Sequence, residues 1–278
     1  MTHLVNDSLT PYYRFFYYAK SLLLCSNRVI RMMPNTKCPW MLLFLFWIGY
    51  SHASEQETLI IGCQDIDYYP HYNFNLADDK GYAWAVLEAF SKQSGHQFEY
   101  RAYPIKRLQR ELADGNIAFV YPDNAGWQSL HQKIDSHKLL SEPLITASSG
   151  TIVLEKREFN PIEKFSSLAV PHGFTPEHWL EVIAQKRLHL LEVDTPIAAL
   201  NLVLKDRVDG ADIESHVARH LLAQSGQQSK VRLAKSLPHG PVTFHLSTIK
   251  RRDVIEQLNA FIASNQALMT QLRAEYQL

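Results

Sequence analysis

The spacing of apolar and polar positions along the chain predicts strands and helices in alternation. Residues 59–62 form an apolar run typical of a buried strand, and a polar, aromatic loop follows it to about residue 75. Apolar side chains then recur at helical spacing to about residue 90, which predicts a helix. Further strands are expected at 97–103 and 117–121, with a helix at 105–112 between them. This order indicates a parallel sheet flanked by helices.

The segment 144–154 is long and rich in strand-forming residues, and Ser148, Ser149 and Gly150 interrupt it. We expect it to cross into a second lobe that repeats the alternation of the first. A return strand and an amphipathic helix end the chain, and this helix is expected to pack on the first lobe. The elements predicted beyond the crossing are strands at 168–170, 188–193, 210–213 and 242–247 and helices near 176–186, 196–205, 215–222 and 252–272.

The N-terminal region has the features of a secretory leader. Residues 40–49 are apolar and uncharged, and Ser51-His52-Ala53 follows with small residues at the two positions that a signal peptidase recognises. The run is shorter than the roughly 20 residues of a membrane-spanning helix. We therefore expect 1–53 to be a signal peptide, with an uncleaved anchor or a core helix as alternatives. A start at Met32 or Met33 would give a leader of ordinary length, which indicates an over-extended start site.

Charge and cysteine content narrow the function classes. Five of the 28 Lys and Arg precede Ser54, against one of the 28 Asp and Glu, so the part expected after cleavage is net acidic. It has no basic footprint, and we expect no nucleic-acid partner. Cys63 is the one cysteine after the predicted cleavage point, so that part forms no internal disulfide. Its place in a buried strand predicts an inert thiol.

Loops after the predicted strands supply the first candidate binding residues, because ligands of open α/β sheets bind at the carboxyl ends of strands. Asp67, Tyr68 and Tyr69 follow the first strand, and a charge with flat rings suits a small polar ligand. Core packing is the alternative for each tyrosine. Trp127, beside Gly126 after the third strand, is expected to form a wall of the same cleft.

Three other stretches supply candidates that also have purely structural alternatives. Ser148 and Ser149 in the crossing segment could donate to a ligand or relieve the turn. Phe174 and Thr175 precede a predicted helix, whose first N–H groups would offer an anion site. Glu214 directly follows a strand, where its carboxylate could bind a cation or cap the next helix, and both alternatives stay open.

Metal and catalytic motifs are weak in this sequence. His216 and His220 lie four apart on a predicted helix, but a third ligand is not evident, and we expect no metal. No nucleophile elbow, phosphate loop or carboxylate pair can be placed, so no catalytic residue and no cofactor are expected. An enzyme on this scaffold would need Glu214 with His172 or Asp67 as its acid–base pair.

Short motifs follow one another in a fixed order from about Thr58 to the C-terminus. They are 60–70, Gly81-Tyr82-Ala83-Trp84, 107–112 with Asp114-Gly115, 170–175 and 204–209. Together they resemble a divergent member of the bacterial periplasmic solute-binding proteins of family 3, which serve uptake of polar amino acids. The resemblance implies a two-lobed α/β fold of type II, each lobe a mostly parallel sheet flanked by helices, with two crossing strands as the hinge. The expected divisions are lobe 1 over 54–148, lobe 2 over 149–241 and a return to lobe 1 over 242–278.

The same resemblance implies roles for particular residues. In amino-acid binders of this family an arginine beyond the third strand pairs with the ligand carboxylate, and an acid at the position of Glu214 holds its ammonium group. Thr175 matches the second threonine of the family's G-T-T loop, which assists in binding the ligand carboxylate, whereas Phe174 replaces the first threonine and its hydroxyl is lost. Residues 122–132 contain no arginine, and Ala118 stands where an acid is usual. These departures point to a ligand outside the standard amino acids.

The function expected from the sequence is solute capture outside the cytoplasm. Such a protein would bind a small polar solute, amino-acid-like or related, close its lobes over it and deliver it to a membrane permease or sensor protein. We expect a monomer in the periplasm of a Gram-negative bacterium. The alternatives are a signalling module that binds a partner protein and has lost small-molecule binding, and a cleft enzyme. A cleft filled by side chains would favour the signalling module.

Overall fold

The computed structural model describes residues 57–127 and 137–278. The expected signal peptide, 1–53, and the alternative start sites lie outside these residues. Within the described part, no helix is both long and apolar enough to cross a bilayer. The strands are β1 (Thr58–Gln64), β2 (Gln97–Tyr103), β3 (Phe119–Asp123), β4 (Leu139–Leu140), β5 (Ile145–Leu154), β6 (Ser167–Pro171), β7 (His189–Val193), β8 (Gly210–Asp212), β9 (Val231–Leu233) and β10 (His239–Thr248). The α-helices are α1 (Tyr82–Ser94), α2 (Ile105–Ala113), α3 (Leu180–Ala184), α4 (Pro196–Leu204), α5 (Ser215–Ala223), α6 (Arg252–Ser264) and α7 (Gln266–Glu275).

The first lobe is built on β1, which lies between two parallel neighbours. It pairs with β2 along its whole length and with β3 through Ile61, Gly62 and Cys63. Ile61 and Cys63 are fully buried, as the apolar run predicted. The strand β3 begins and ends two residues later than the sequence pattern suggested, so Pro122 and Asp123 belong to the strand end.

The second lobe repeats this arrangement on β6. That strand pairs in parallel with β7 and β8, while β5 runs antiparallel to β8 and β9. Two of its helices begin at side-chain caps. The Thr195 side chain accepts from the N–H of Ala198 at the start of α4, and Pro196 takes the first helical position, where its missing N–H costs nothing. Glu214 caps α5 in the same way.

Two antiparallel strands, β5 and β10, join the lobes. Their register runs from Ile145 opposite Phe244 to Gly150 opposite His239, and β10 then pairs with β3 of the first lobe. The strands form one mixed sheet in the order β2-β1-β3-β10-β5-β8-β6-β7. The predicted two-lobed α/β fold with two crossing strands is confirmed, whereas the lobe boundaries at 148/149 and 241/242 stay predictions.

The C-terminal helix packs on the first lobe, as expected, but it is not continuous. The sequence pattern predicted one helix over 252–272, and the structure has α6 and α7 separated at Asn265. The rings of Phe90 in α1 and Phe261 in α6 lie 5.5 Å apart, and the Tyr82 hydroxyl contacts the sulfur of Met269 at 3.9 Å. Both helices bury apolar side chains, so the hydrophobic pattern continues across the break at Asn265. The break is therefore not visible in the sequence pattern.

The helix expected near 176–186 is much shorter in the structure. Residues Glu177–Trp179 form a 3₁₀ turn, and α3 has five residues. Trp179 is fully buried, its ring lies 4.7 Å from that of Phe165, and its indole N–H donates to Thr151 Oγ1 at 2.9 Å. The buried ring of Trp179 fixes the conformation of this 3₁₀ turn. The α-helix that follows is therefore short. A helix this short offers a weak dipole, which removes much of the reason for an anion site at its start.

Candidate functional site

A cavity of about 310 Å³ lies where strands of both lobes end. Gln64 at the end of β1 and Asp123 at the end of β3 contribute from the first lobe, and Asp212 at the end of β8 and the loop after β6 contribute from the second. Ser149 of β5 and Phe244 of β10 line it from the crossing strands. The cavity is therefore at the carboxyl ends of parallel strands, where open α/β sheets bind ligands.

Aromatic rings form one wall of this cavity. The ring of Tyr68 lies 5.4 Å from those of Tyr72 and Phe174 and 6.3 Å from that of Phe244. The ring of Trp127 lies 5.8 Å from that of Phe244. These five rings come from the loops after β1, β3 and β6 and from β10, so elements of both lobes meet in the wall. Their faces and edges suit a flat or cationic ligand group.

A buried ion pair lies at the first-lobe side of the cavity. Lys138 Nζ lies 2.9 Å from Asp123 Oδ2 and 3.1 Å from Oδ1, and the two side chains are 6% and 2% exposed. The Ser247 hydroxyl also donates to Asp123 Oδ2 at 2.5 Å, and the Asn124 N–H donates to Oδ1 at 2.8 Å. The positive charge of Lys138 is therefore largely matched by a carboxylate of the protein itself.

Two further carboxyl groups line the cavity from the second lobe. Asp212 accepts a long 3.4 Å hydrogen bond from Ser149, and burial raises its pKa to about 7. Burial also raises the pKa of Glu177, although His178 and the indole of Trp127 partly oppose this. The Glu177 Oε1 atom is buried and has no hydrogen-bond partner among the described residues. The two carboxyls repel each other, since Glu177 contributes to the raised pKa of Asp212.

Glu214 lies apart from this cavity in a buried hydrogen-bond network. His71 Nε2 and His216 Nδ1 each donate to its carboxylate at 2.8 Å. The backbone N–H groups of His216 and Val217 donate to Oε2 at 2.7 and 3.1 Å, which caps α5. Burial alone would raise the pKa of Glu214, but the hydrogen bonds from His216 and His71 outweigh it and hold that pKa well below its usual range. His71 belongs to the first lobe, so this network joins the two lobes.

The same three side chains have the spacing of a metal site. The possible ligand atoms of His71, Glu214 and His216 all lie within 4.8 Å of one another. A metal-bound histidine usually donates its other ring N–H to an acceptor, yet His71 Nδ1 is buried without a partner among the described residues. The geometry therefore favours a hydrogen-bonded network. The pair noted in the sequence does not form, because His220 packs on the Tyr69 ring with centroids 4.7 Å apart.

Five of the nine side chains predicted as ligand contacts line the cavity: Tyr68, Trp127, Ser149, Phe174 and Thr175. The other four, Asp67, Tyr69, Ser148 and Glu214, do not line it. Asp67 Oδ1 accepts from the N–H of Tyr69 at 3.3 Å, and the Tyr69 hydroxyl donates to Asp79 at 2.9 Å. Ser148 is exposed and precedes Ser149 in β5, so the two side chains point to opposite faces. For Glu214 the structure shows the capping alternative.

Several cavity residues were not anticipated from the sequence. Lys138 reaches Asp123 from 15 positions along the chain, and Phe244 belongs to a return strand whose pairing no local pattern specifies. Asp212 had a usable signal, because it is the last residue of a strand in the second lobe. For Glu177 the sequence contained no signal of a role in the cavity except that it lies two residues after Thr175.

Comparison with known proteins supports the fold assignment. No family model and no curated protein sequence matches the chain. Among solved structures, an arginine 3rd transport system periplasmic binding protein from Legionella pneumophila matches with a TM-score of 0.59 and 15% identity, covering 79% of this chain and 99% of that one. The GluR0 ligand binding core in complex with L-glutamate matches with a TM-score of 0.64 and 11% identity, over 80% of this chain and 99% of that one.

A third similar structure is a histidine kinase sensor domain with similarity to periplasmic binding proteins. It has a TM-score of 0.63 and 14% identity, and the match covers 80% of this chain and 96% of the other. Identities this low show a shared fold only. At that level the predicted resemblance to periplasmic solute-binding proteins is confirmed, and the match includes nearly the whole length of each of these structures.

Proposed function

We propose that this chain is a secreted solute-binding protein, a divergent member of family 3, that captures a small polar ligand between its lobes. The observation that carries this function is the cavity of about 310 Å³, which both lobes and both crossing strands line. Its size is at the lower end of the range for small-molecule sites, and its lining combines aromatic walls with a few polar groups. Periplasmic location and a monomeric state are part of the same proposal.

Closure of the lobes over the ligand would proceed by bending of the paired strands β5 and β10. A ligand that contacts both lobes binds the closed state more tightly than the open one and thereby shifts the population toward closure. Tyr68 of the first lobe and Phe174 of the second already lie in ring contact at the cavity. A ligand between these elements would strengthen contact between the lobes.

Delivery to a membrane permease or to a sensor protein completes the proposed function. Both partner classes are consistent with the similar structures, since one belongs to a transport system and another is a histidine kinase sensor domain. The signalling module without a ligand is less well supported, because its expected feature was a cleft filled by side chains and the cavity is open space.

A cleft enzyme has little geometric support in the described residues. Glu214 is buried against His71 and His216, whereas His172 Nδ1 contacts Glu192 on the exposed rim. Asp67 accepts from a backbone N–H in its own loop. The acid–base pairs that an enzyme would need therefore do not meet at the cavity, and we propose a binding protein without catalytic activity.

A thermal-shift screen tests this function. The full chain, produced with its own leader and purified, is heated with pools of amino acids, amines, organic acids, small sugars and peptides. A ligand at a hundred times its dissociation constant adds about 2.7 kcal/mol to the free energy of unfolding, so a true ligand raises the melting midpoint by several degrees. A Trp127→Ala variant, which removes one cavity wall, should lose most of that shift. Flat results with every pool would contradict solute binding.

A further inference from the structure

We propose that the cleft ligand is an organic cation, an amine, diamine or guanidine compound, held by Asp212 and Glu177 against the aromatic wall and needing no carboxylate of its own. This ligand class rests on the proposed solute-binding function and specifies what that site takes. Four features of the described residues carry it: the excess of acidic side chains in the cavity, the poorly satisfied carboxyl groups, the adjoining aromatic wall, and the lack of an unpaired interior basic side chain for an anion.

Acidic side chains outnumber basic ones among the described residues of the cavity lining. These residues include two lysines and four carboxyl groups: Lys106, Lys138, Asp123, Glu177, Glu192 and Asp212. Lys138 and Asp123 pair with each other in the interior, and Lys106 and Glu192 are exposed at the rim. Among the described residues, the interior carboxyl groups left without a basic partner are those of Asp212 and Glu177. A cation that entered this part of the cavity would favour their charged forms and pair with them.

Neither of these two carboxyl groups is well satisfied by the protein. Asp212 is 8% exposed, and the groups that act on it are a long hydrogen bond from Ser149 and the neighbouring carboxyl of Glu177, with no basic side chain among them. The buried Oε1 of Glu177 has no hydrogen-bond partner within the described part of the chain. Buried polar atoms are almost always paired, so the unpaired oxygen of Glu177 and the single long hydrogen bond of Asp212 call for donors from a ligand in the cavity. Ammonium and guanidinium groups supply several donors and the compensating charge.

The aromatic wall stands next to these carboxyl groups. Tyr68 of the aromatic wall and Asp212 line the same cavity. Trp127 of the wall and Glu177 also line this cavity together. A cation held by the carboxyl groups would therefore lie beside ring faces, and the attraction between a cation and an aromatic ring adds to the ion pair.

Among the described residues, the basic side chains that could bind a ligand carboxylate are already paired or lie at the rim. Lys138 already forms an ion pair with Asp123. Lys106 lies at the rim, where its Nζ is 3.2 Å from His172 Nε2. The Phe174 N–H, in the loop that was expected to bind an anion, donates to the Pro171 carbonyl at 3.0 Å. A negatively charged group near Asp212 and Glu177 would also be repelled by them. Cations without a carboxylate thus fit the cavity better than the amino acids from which they derive.

Matched pairs of compounds test this inference by isothermal titration calorimetry on the full chain. Agmatine is compared with arginine, and cadaverine with lysine, because each amine differs from its amino acid only by the α-carboxylate. Succinate and glucose serve as anionic and neutral probes. We expect at least one amine to bind at least tenfold more tightly than its amino acid. Asp212→Asn and Glu177→Gln should each weaken that binding at least tenfold, while Glu163→Gln, at an exposed carboxylate outside the cavity lining, should change it less than twofold.

Each outcome of this experiment decides one question. If an amino acid binds more tightly than its amine, or if only succinate or glucose binds, the organic-cation class is overturned while solute binding stands. If none of these compounds binds and the broad thermal-shift pools also give no shift, both the proposed ligand class and the proposed solute-binding function are contradicted. Circular dichroism of each variant shows whether it is folded, and Glu177→Gln, at a half-buried position, keeps the test available if Asp212→Asn does not fold.

Discussion

Asp212 and Glu214 are two residues apart, yet their carboxyl groups are held in opposite ways. Asp212 is buried with one long hydrogen bond, and its pKa is raised to about 7. Glu214 is also buried, but two imidazoles and two backbone N–H groups donate to it, and its pKa is lowered. Burial opposes the charged form in both cases, and hydrogen-bond donors decide the outcome. Glu214, whose carboxylate is well hydrogen-bonded, stabilises the structure. Asp212, which has one long hydrogen bond, lines the cavity.

Asp212 should make the ligand-free protein less stable as the pH rises. Its pKa increases from an ordinary 3.8 to about 7 on folding, so the folded state holds the proton more tightly and loses stability between about pH 4 and pH 7. Asp212→Asn has no such loss. We expect the variant to gain roughly 2–4 kcal/mol relative to the wild type between pH 4 and pH 8, at about 1.4 kcal/mol per unit of pKa shift. Urea unfolding across this pH range measures the difference, and a gap that is constant with pH would contradict the assignment.

Removal of the Glu214 carboxylate should be strongly destabilising at neutral pH. Because its pKa is lowered in the folded state, its contribution is fully present above the unfolded pKa near 4.5 and is lost as the pH falls toward the folded value. Glu214→Ala leaves His71 without its partner and removes the cap of α5, at a cost of roughly 3 kcal/mol. The exposed control Glu192→Ala should change the free energy of unfolding by less than about 0.5 kcal/mol. Equal effects of the two substitutions in urea unfolding would refute this role.

At the residue scale, sequence reasoning located cavity residues that follow strands and failed where contacts join distant parts of the chain. Trp127 and Thr175 lie in loops after strands, so a rule about strand ends was enough to find them. The pairing of Lys138 with Asp123 and of His71 with Glu214 depends on how the lobes meet. The role of Glu214 was left open because a strand-following acid can serve either purpose, and the presence of His71 is not visible from local sequence.

At the scale of elements, the start of α1 depends on a glycine. Gly81 has a φ of 94° and a ψ of 178°, a conformation essentially restricted to glycine. A Cβ there would lie 2.9 Å from the Pro70 carbonyl oxygen and 3.0 Å from backbone atoms of Tyr72. The tight approach joins the aromatic loop after β1 to α1, since the Tyr82 N–H donates to the same Pro70 carbonyl at 3.0 Å.

Gly81→Ala should therefore lower stability by roughly 3 kcal/mol, because it combines a strained backbone with contacts to backbone atoms that cannot move aside. Gly226 is a matched control, since it also has a positive φ, of 65°, but nothing lies within 4 Å of its added Cβ. Gly226→Ala should cost roughly 1 kcal/mol, the penalty of the left-handed conformation alone. Thermal unfolding of both variants gives the comparison, and similar losses in the two would argue against the close contact at Gly81.

Strands and helices were predicted correctly where one hydrophobic pattern extended over a whole segment between two turns. The strand over 59–62 was found because its residues are buried on both faces, as β1 shows. The break at Asn265 was missed because apolar residues of α6 and α7 both face the first lobe, which keeps the pattern intact. The short α3 was overestimated because the burial of Trp179 in a 3₁₀ turn is a tertiary effect that helical spacing does not encode.

At the scale of the whole molecule, the alternation of strands and helices was sufficient to predict two lobes and the strands that cross between them. The proposed ligand class was not predictable in the same way, since it rests on which carboxyl groups remain poorly hydrogen-bonded after the lobes meet. Contacts between the lobes include the hydrogen bond from the Glu214 N–H to the Tyr68 hydroxyl at 3.2 Å as well as the pair of Glu214 with His71. These contacts place the aromatic loop after β1 at the junction that a closing motion would tighten.

Small-angle X-ray scattering of the full chain, without ligand and at saturation with the compound that gives the largest thermal shift, tests the central claim most directly. Closure of two lobes over a bound solute should reduce the radius of gyration, and the reduction should disappear in Trp127→Ala at the same ligand concentration. Unchanged scattering of the wild type at demonstrated saturation would contradict capture by closure of the cleft.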